Sequence, residues 1–134
     1  MSKGEEGVIF VLFKDNKILL QQRDENCKKF PFKWCIPGGG REENESYEKT
    51  LLREIKEEFD MDLDIEQCEY ITDYPNNEIR VYLCKINSDQ IPTLNEGMAM
   101  KWVSIQEIKN MELGFNQDKL ILLLESYLEK TNDY

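Results

Sequence analysis

Three observations in the sequence predict an α/β fold in which a mixed central sheet is sandwiched between helices, an α/β/α architecture. Strand-like apolar runs are interleaved with segments of helical periodicity rather than grouped apart from them. Short turn signals join two pairs of strands, which calls for antiparallel hairpins and a sheet that is not all parallel. The first strand is apolar at every position from Val8 to Phe13, and such a run needs cover on both faces.

Gly7–Phe13 opens the sheet, and Lys14-Asp15-Asn16-Lys17 turns the chain into a second strand from Ile18 to about Arg23. Asp24–Lys33 is charged and contains Pro31, the composition of a loop. Trp34–Ile36 makes a short third strand, ended by Pro37 and the glycines Gly38, Gly39 and Gly40. Ser46 is placed to cap a helix over Tyr47–Phe59, on which Leu51, Leu52, Ile55 and Phe59 gather on one side. Leu63–Tyr74 and Ile79–Ile86 are expected as strands joined at Pro75-Asn76-Asn77; in the second, Ile79, Val81 and Leu83 alternate with Arg80, Tyr82 and Cys84. A polar loop over Asn87–Glu96 leads to a strand near Met98–Val103. Ser104-x-x-Glu107 is a capping box for a brief helix. Asn116 then precedes a last amphipathic helix whose core side carries Leu120, Leu123, Leu124, Tyr127 and Leu128. No repeat or Pro/Gly-rich linker divides the chain, so residues 1–134 are expected to form one domain.

Composition narrows the chemistry. Seventeen Lys and Arg stand against 27 Asp and Glu, a net charge of −10. Such a surface repels polymeric nucleic acid and anionic membranes, and a small anionic substrate would need cations or local basic residues to bind. Histidine is absent, which removes Ser/His/Asp and Cys/His nucleophiles and every histidine metal site. Acid–base work is left to carboxylates, Lys, Tyr, Cys or metal-bound water. Cys27, Cys35, Cys68 and Cys84 form no Cys-x-x-Cys pair. The polar, acidic start Met1–Gly7 lacks a signal-peptide core, and Val8–Phe13 is too short to span a bilayer. A cytoplasmic protein with free thiols is the expectation.

Gly39–Met61 carries the chemical information. On a helix, Glu54, Glu57 and Glu58 share an arc of about 100° beside the apolar stripe, so packing pins the helix while the three acids project together. Like charges this close repel, and either solvation or divalent cations relieve them. Oxygen donors suit Mg²⁺ or Mn²⁺. On the residues alone the cluster is either a solvated acidic face or a hard-cation site. Pro37-Gly38-Gly39-Gly40 is either a mobile turn or a place where backbone approaches a ligand or metal.

Gly39, Glu45, Arg53, Glu54, Ile55, Glu57, Glu58 and Met61 fit the pattern G-x5-E-x7-R-E-U-x-E-E-x-G-U, with U apolar, at eight of its nine defined positions. The segment resembles the Nudix box, and the flanking strands, the Trp-x-x-Pro-Gly-Gly entry and the C-terminal helix resemble the Nudix α/β/α sandwich. The departure is Asp60, where the pattern has a glycine that follows the helix in a left-handed conformation. Asp tolerates positive φ better than most residues, so a modest stability cost and little chemical effect are expected.

The resemblance implies metal-dependent hydrolysis of a nucleoside diphosphate linked to another moiety. It implies Glu54, Glu57 and Glu58 as Mg²⁺ or Mn²⁺ ligands, with the Gly38 carbonyl assisting. Arg53 would pair with and orient a box carboxylate, and Glu45 would be structural near the helix start. Glu96, just before a strand, stands where the 8-oxo-dGTP diphosphatase branch carries a loop glutamate; it is equally a loop acid beside a turn glycine. That branch also places a base-reading Asn before the last helix, which would be Asn116, otherwise a plain N-cap. Arg23 could meet phosphate or base, or stay a solvated strand end, while Gly39 would line the substrate site. Gly40 departs from the lysine often found there in that branch.

The implied substrate is a (d)NTP, including oxidised forms such as 8-oxo-dGTP, cleaved to a nucleoside monophosphate and pyrophosphate by a monomer or homodimer. The rivals are a nucleoside diphosphate sugar (ADP-ribose-type) or dinucleoside polyphosphate hydrolase and, from another class, a sensor that binds nucleotide without cleaving it. Pro75 lies near the offset of an ADP-ribose-type proline but is already explained as a hairpin turn.

Overall fold

A computed structural model describes residues 6–131 of the chain. The expected absence of a signal-peptide core rests largely on residues 1–5, outside the described range. Among the described residues, seven strands run as β1 (Gly7–Lys14), β2 (Lys17–Gln22), β3 (Trp34–Cys35), β4 (Gly38–Gly40), β5 (Cys68–Asp73), β6 (Ile79–Lys85) and β7 (Ala99–Ser104). The helices are α1 (Tyr47–Phe59), α2 (Ile105–Ile108) and α3 (Asp118–Lys130). The expected α/β/α sandwich with a mixed sheet is observed: β1 pairs parallel with β6 and antiparallel with β2 and β4.

The β1–β2 hairpin turns through Asp15 and Asn16, both at positive φ (53° and 61°), residues that tolerate the left-handed region. Along β1 the side chains alternate between two cores. Val8, Phe10 and Leu12 pack with Leu51, Ile55 and Phe59 of α1. Val11 and Phe13 pack on the other face with Ile108 of α2 and Leu120, Leu124 and Leu128 of α3. One edge of β1 is shared: its C-terminal end pairs with β2, whereas Gly7, Val8 and Ile9 pair with Gly40, Gly39 and Gly38. The strands β2 and β4 therefore part from each other along β1, and the site lies at that divergence.

Four expectations change. The glycines form strand β4 instead of a mobile turn, because β1 supplies a paired edge. The segment Leu63–Tyr74 is strand only from Cys68; before it, Asp64 and Gln67 make a reciprocal capping box around a 3₁₀ turn. Val81 to Cys84 are buried on both faces, since β6 is an inner strand with helices on either side. On α3 it is Ile121 that enters the core, while Leu123 is exposed; five consecutive apolar residues, Leu120–Leu124, leave the helix phase open in sequence. No helix among the described residues is long and apolar enough to cross a membrane.

Candidate active site

Helix α1 supports the acids. Ser46 accepts a hydrogen bond from the Lys49 amide at 3.0 Å, closing the N-terminus. Asp60 ends the helix at φ 53°, ψ 43° and donates its N–H to the Lys56 carbonyl. The left-handed conformation expected where Nudix chains have glycine is thus adopted by aspartate, whose carboxylate pairs with Lys56 at 3.2 Å.

Arg53 organises the cluster. Its Nε and Nη2 donate to the two Glu45 oxygens at 2.6 and 2.9 Å. Nη1 donates to Glu54 at 2.9 Å and Glu57 at 3.3 Å, and Nη2 also reaches the Gly40 carbonyl at 2.9 Å. All five N–H donors of the guanidinium are occupied, in the fork geometry that lysine lacks. Glu45 is fixed further by the Thr50 hydroxyl and the Glu42 amide. The Arg53 hydrogen bonds hold the Glu45 carboxyl down at about 2.

Glu54 packs against the glycine strand. A Cβ on Gly39 would lie 2.0 Å from the Glu54 carboxyl carbon, so only glycine fits there with Glu54 in place. Glu57 stays half exposed at 49%. Glu58 does not project with the other two; it is 4% exposed, because its arc turns in toward β2. Burial first, then the nearby Glu54, push its carboxyl up to about 9.

The loop before β7 brings the fourth acid. The Thr93 and Asn95 amides donate to the Phe59 and Glu58 carbonyls at 2.8 and 2.9 Å, and Asn95 Nδ2 donates to the Glu57 carbonyl. Glu96 is thereby placed near the cluster, and its carboxyl is raised by burial and then by the charges of Glu54, Glu57 and Asp24. Among the described residues, no three acidic or thiol side chains already converge as a ligand sphere. The donor set nevertheless suits a hard divalent cation: it is all oxygen, and Glu54 and Glu58 crowd each other in a way that positive charge relieves.

Beside β4 lies a cavity of about 690 Å³, lined by Gly38–Gly40, Gln21, Arg23, Phe30, Tyr74, Phe115 and Asn116. Arg23 is anchored by donating Nε to the Lys29 carbonyl and lies 4.6 Å from the Phe115 ring, which in turn packs 4.9 Å from Phe30. It is a built part of the wall, not a solvated strand end. Asn116 does not cap α3. It sits at φ 54° in a turn before the helix, its carbonyl accepting the Tyr74 hydroxyl. Gln117 occupies the cap position without a capping bond, its buried amide spent on the Ile36 N–H and carbonyl at 2.7 and 3.1 Å.

The structure therefore brings Arg53, Glu54, Glu57, Glu58 and Glu96 together beside β4, and Arg23 and Asn116 together in the wall of the adjoining cavity, which Gln21 also lines. The two sets share Gly38 and Gly39. Sequence reasoning missed Gln21, which bonds Glu58, and the pair Phe30–Phe115. Gln21 was findable as a polar residue two positions after Leu19 in an apolar strand, hence on its core-facing side.

A mixed-sheet sandwich with an Arg-braced glutamate helix beside a cavity is the architecture that the Nudix resemblance implies. The NUDIX domain family model matches residues 5–124, and the chain belongs to that family, whose members hydrolyse pyrophosphate linkages in nucleoside diphosphate derivatives. An RNA pyrophosphohydrolase of Pelagibacter ubique is 28% identical over 130 residues, covering 80% of each chain. An ADP-ribose pyrophosphatase of Methanocaldococcus jannaschii is 50% identical over 50 residues, 36% of this chain and 27% of its own length. An 8-oxo-dGTP diphosphatase of Proteus vulgaris is 36% identical over 70 residues, 49% of this chain and 60% of its own. Among solved structures, a MutT protein described for Aliivibrio salmonicida and Vibrio cholerae superposes with a TM-score of 0.72 at 20% identity, covering 90% of this chain and 97% of that one. The NUDIX domain of Shewanella oneidensis NrtR, complexed with ADP ribose, gives 0.69 at 23% identity over 91% and 85%.

Proposed function

We propose that the protein hydrolyses a nucleoside triphosphate, oxidised forms included, to the nucleoside monophosphate and pyrophosphate with Mg²⁺ or Mn²⁺. The observation that carries this is the shared glycine strand, which borders both the acidic cluster and a cavity of about 690 Å³, the size for one nucleotide. Glu54, Glu57 and Glu58, with the Gly38 carbonyl, would hold the cations. Bound there, the cations neutralise polyphosphate and stabilise charge on the displaced oxygen.

The chain's own groups do the rest. Arg53 fixes the orientation of Glu54 and Glu57 and keeps Glu45 ionised. Glu96 takes the proton from the attacking water; a carboxyl raised by burial is the stronger base for that purpose. Arg23 and the Phe30–Phe115 pair hold the nucleoside end by charge and stacking, and Asn116 faces the base. A binder with no turnover has little use for four acids and their brace.

The 50-residue match to an ADP-ribose pyrophosphatase favours a second substrate class, a nucleoside diphosphate sugar. Turnover of (d)NTPs, 8-oxo-dGTP and ADP-ribose with Mg²⁺ or Mn²⁺, scored by product identity, separates the two. Monophosphate and pyrophosphate from a triphosphate are expected. Cleavage of ADP-ribose alone transfers the assignment, and tight nucleotide binding without products makes the protein a sensor.

A further inference from the structure

Gln21 sits near the end of β2 with 8% of its surface exposed. Its single Nε2 donates both to Glu58 Oε1, at 3.2 Å, and to the backbone carbonyl of Glu96, at 3.0 Å. One amide thus joins an acid on α1 to the loop that carries another, across 37 and 75 residues of sequence. The loop is fastened at both ends around this point. Asn95 bonds the last turn of α1, and the Met98 amide donates to the Gln22 carbonyl at 2.9 Å. Between them Gly97 adopts φ 91°, and a Cβ there would stand 2.9 Å from Gln21 Cγ and 2.7 Å from the Gln22 carbonyl. The tight turn at Gly97 is what lets the loop reach the amide.

We infer that Gln21 is a positioning residue that joins Glu58 and Glu96 into one cation-binding and water-activating set. This rests on the proposed cation-dependent hydrolysis. An amide suits the task because it donates to a carboxylate without adding charge to a cluster already crowded with acids. Gln21 spends its amide on the Glu58 carboxyl and the Glu96 backbone, and it acts through those two glutamates.

The test is Gln21→Met, which keeps the volume and removes the donor. Three quantities are read: Mn²⁺ affinity by electron paramagnetic resonance, steady-state kinetics, and amide exchange over residues 93–98 in the cation-free protein. The expected result is Mn²⁺ affinity and kcat each about 10-fold lower, with KM for the nucleotide within about threefold. Exchange in the loop accelerates. In a Glu96→Ala background the same substitution costs much less, because the two act as a unit. Should Gln21→Met not fold, Gln21→Asn, whose amide falls one methylene short of both acceptors, takes its place. Wild-type affinity and kcat in a folded variant, or a loss fully additive with Glu96→Ala, overturns the positioning role alone. A wild-type protein that binds no Mn²⁺ overturns the cation-dependent reading and this inference with it.

Discussion

Arg53 and Glu45 form a two-pronged ion pair at 2.6 and 2.9 Å, across the eight residues that separate the helix start from its middle turn. The Glu45 side chain is 9% exposed and that of Arg53 21%, so the pair is shielded from screening water. With Glu45 in place, Arg53 turns Nη1 to Glu54 and Glu57 and its other Nη2 hydrogen to the Gly40 carbonyl.

Glu45→Gln removes the charge that holds the brace. A loss of about 2 kcal/mol in stability is expected, the scale of a charge-assisted hydrogen bond. Glu45 titrates at about 2 in the folded protein against an ordinary 4.5, mainly through Arg53. Its contribution is therefore present above pH 4.5 and lost as pH falls toward 2. Denaturant unfolding of wild type and variant at pH 7 and at pH 3 checks both: the gap between them narrows in acid.

Glu58 has the opposite sign. Its folded-state carboxyl is raised from 4.5 to about 9 by burial and by Glu54, so the folded chain keeps a proton that the unfolded chain gives up. That contribution is complete below pH 4.5 and is lost as pH rises toward 9. In chelator, the Tm of the wild-type protein falls across this range, and Glu58→Gln flattens the slope. Added Mn²⁺ restores Tm most at the alkaline end, because cation binding must first displace the proton.

Gly39→Ala places a methyl group 2.0 Å from the Glu54 carboxyl carbon. The obstructed group is the far end of a flexible side chain, so the fold survives and Glu54 swings aside. A displacement of this size costs on the order of 100-fold in kcat. Circular dichroism unchanged from wild type beside that kinetic loss is the expected pair of results.

Asp60→Gly tests the departure from the family pattern. Glycine relieves the left-handed strain of roughly 1 kcal/mol, but it forfeits the 3.2 Å pair with Lys56 and adds chain entropy. The two offset, and urea unfolding is expected to differ by less than about 1 kcal/mol. Turnover stays at the wild-type level, since the Asp60 carboxylate faces Lys56 and solvent.

Helix α1 was legible because cap, apolar stripe and acids all follow from local spacing, and Ser46 to Asp60 came out as the spacing requires. What sequence could not supply was which partner each residue meets across the fold. Three glycines look like a turn until β1 offers them an edge. Glu58 and Glu57 differ by one position in the chain, yet β2 buries the first and leaves the second half exposed. Phe30 sits in a charged loop, and only the turn at Phe115, held at φ 57°, brings a ring to meet it. Gln21 is silent in sequence beyond its need for a partner, because both acceptors are distant.

Strand β4 is a shared border. What it borders is furnished from different parts of the chain: the acids mostly by α1 and the loop before β7, the cavity mostly by the segments after β2, between β5 and β6, and before α3. Exchanging the cavity segments would retune which molecule is admitted while the acids of α1 keep their places. In the proposed hydrolase, selectivity and reactivity then rest on different segments, so one scaffold can serve many clients.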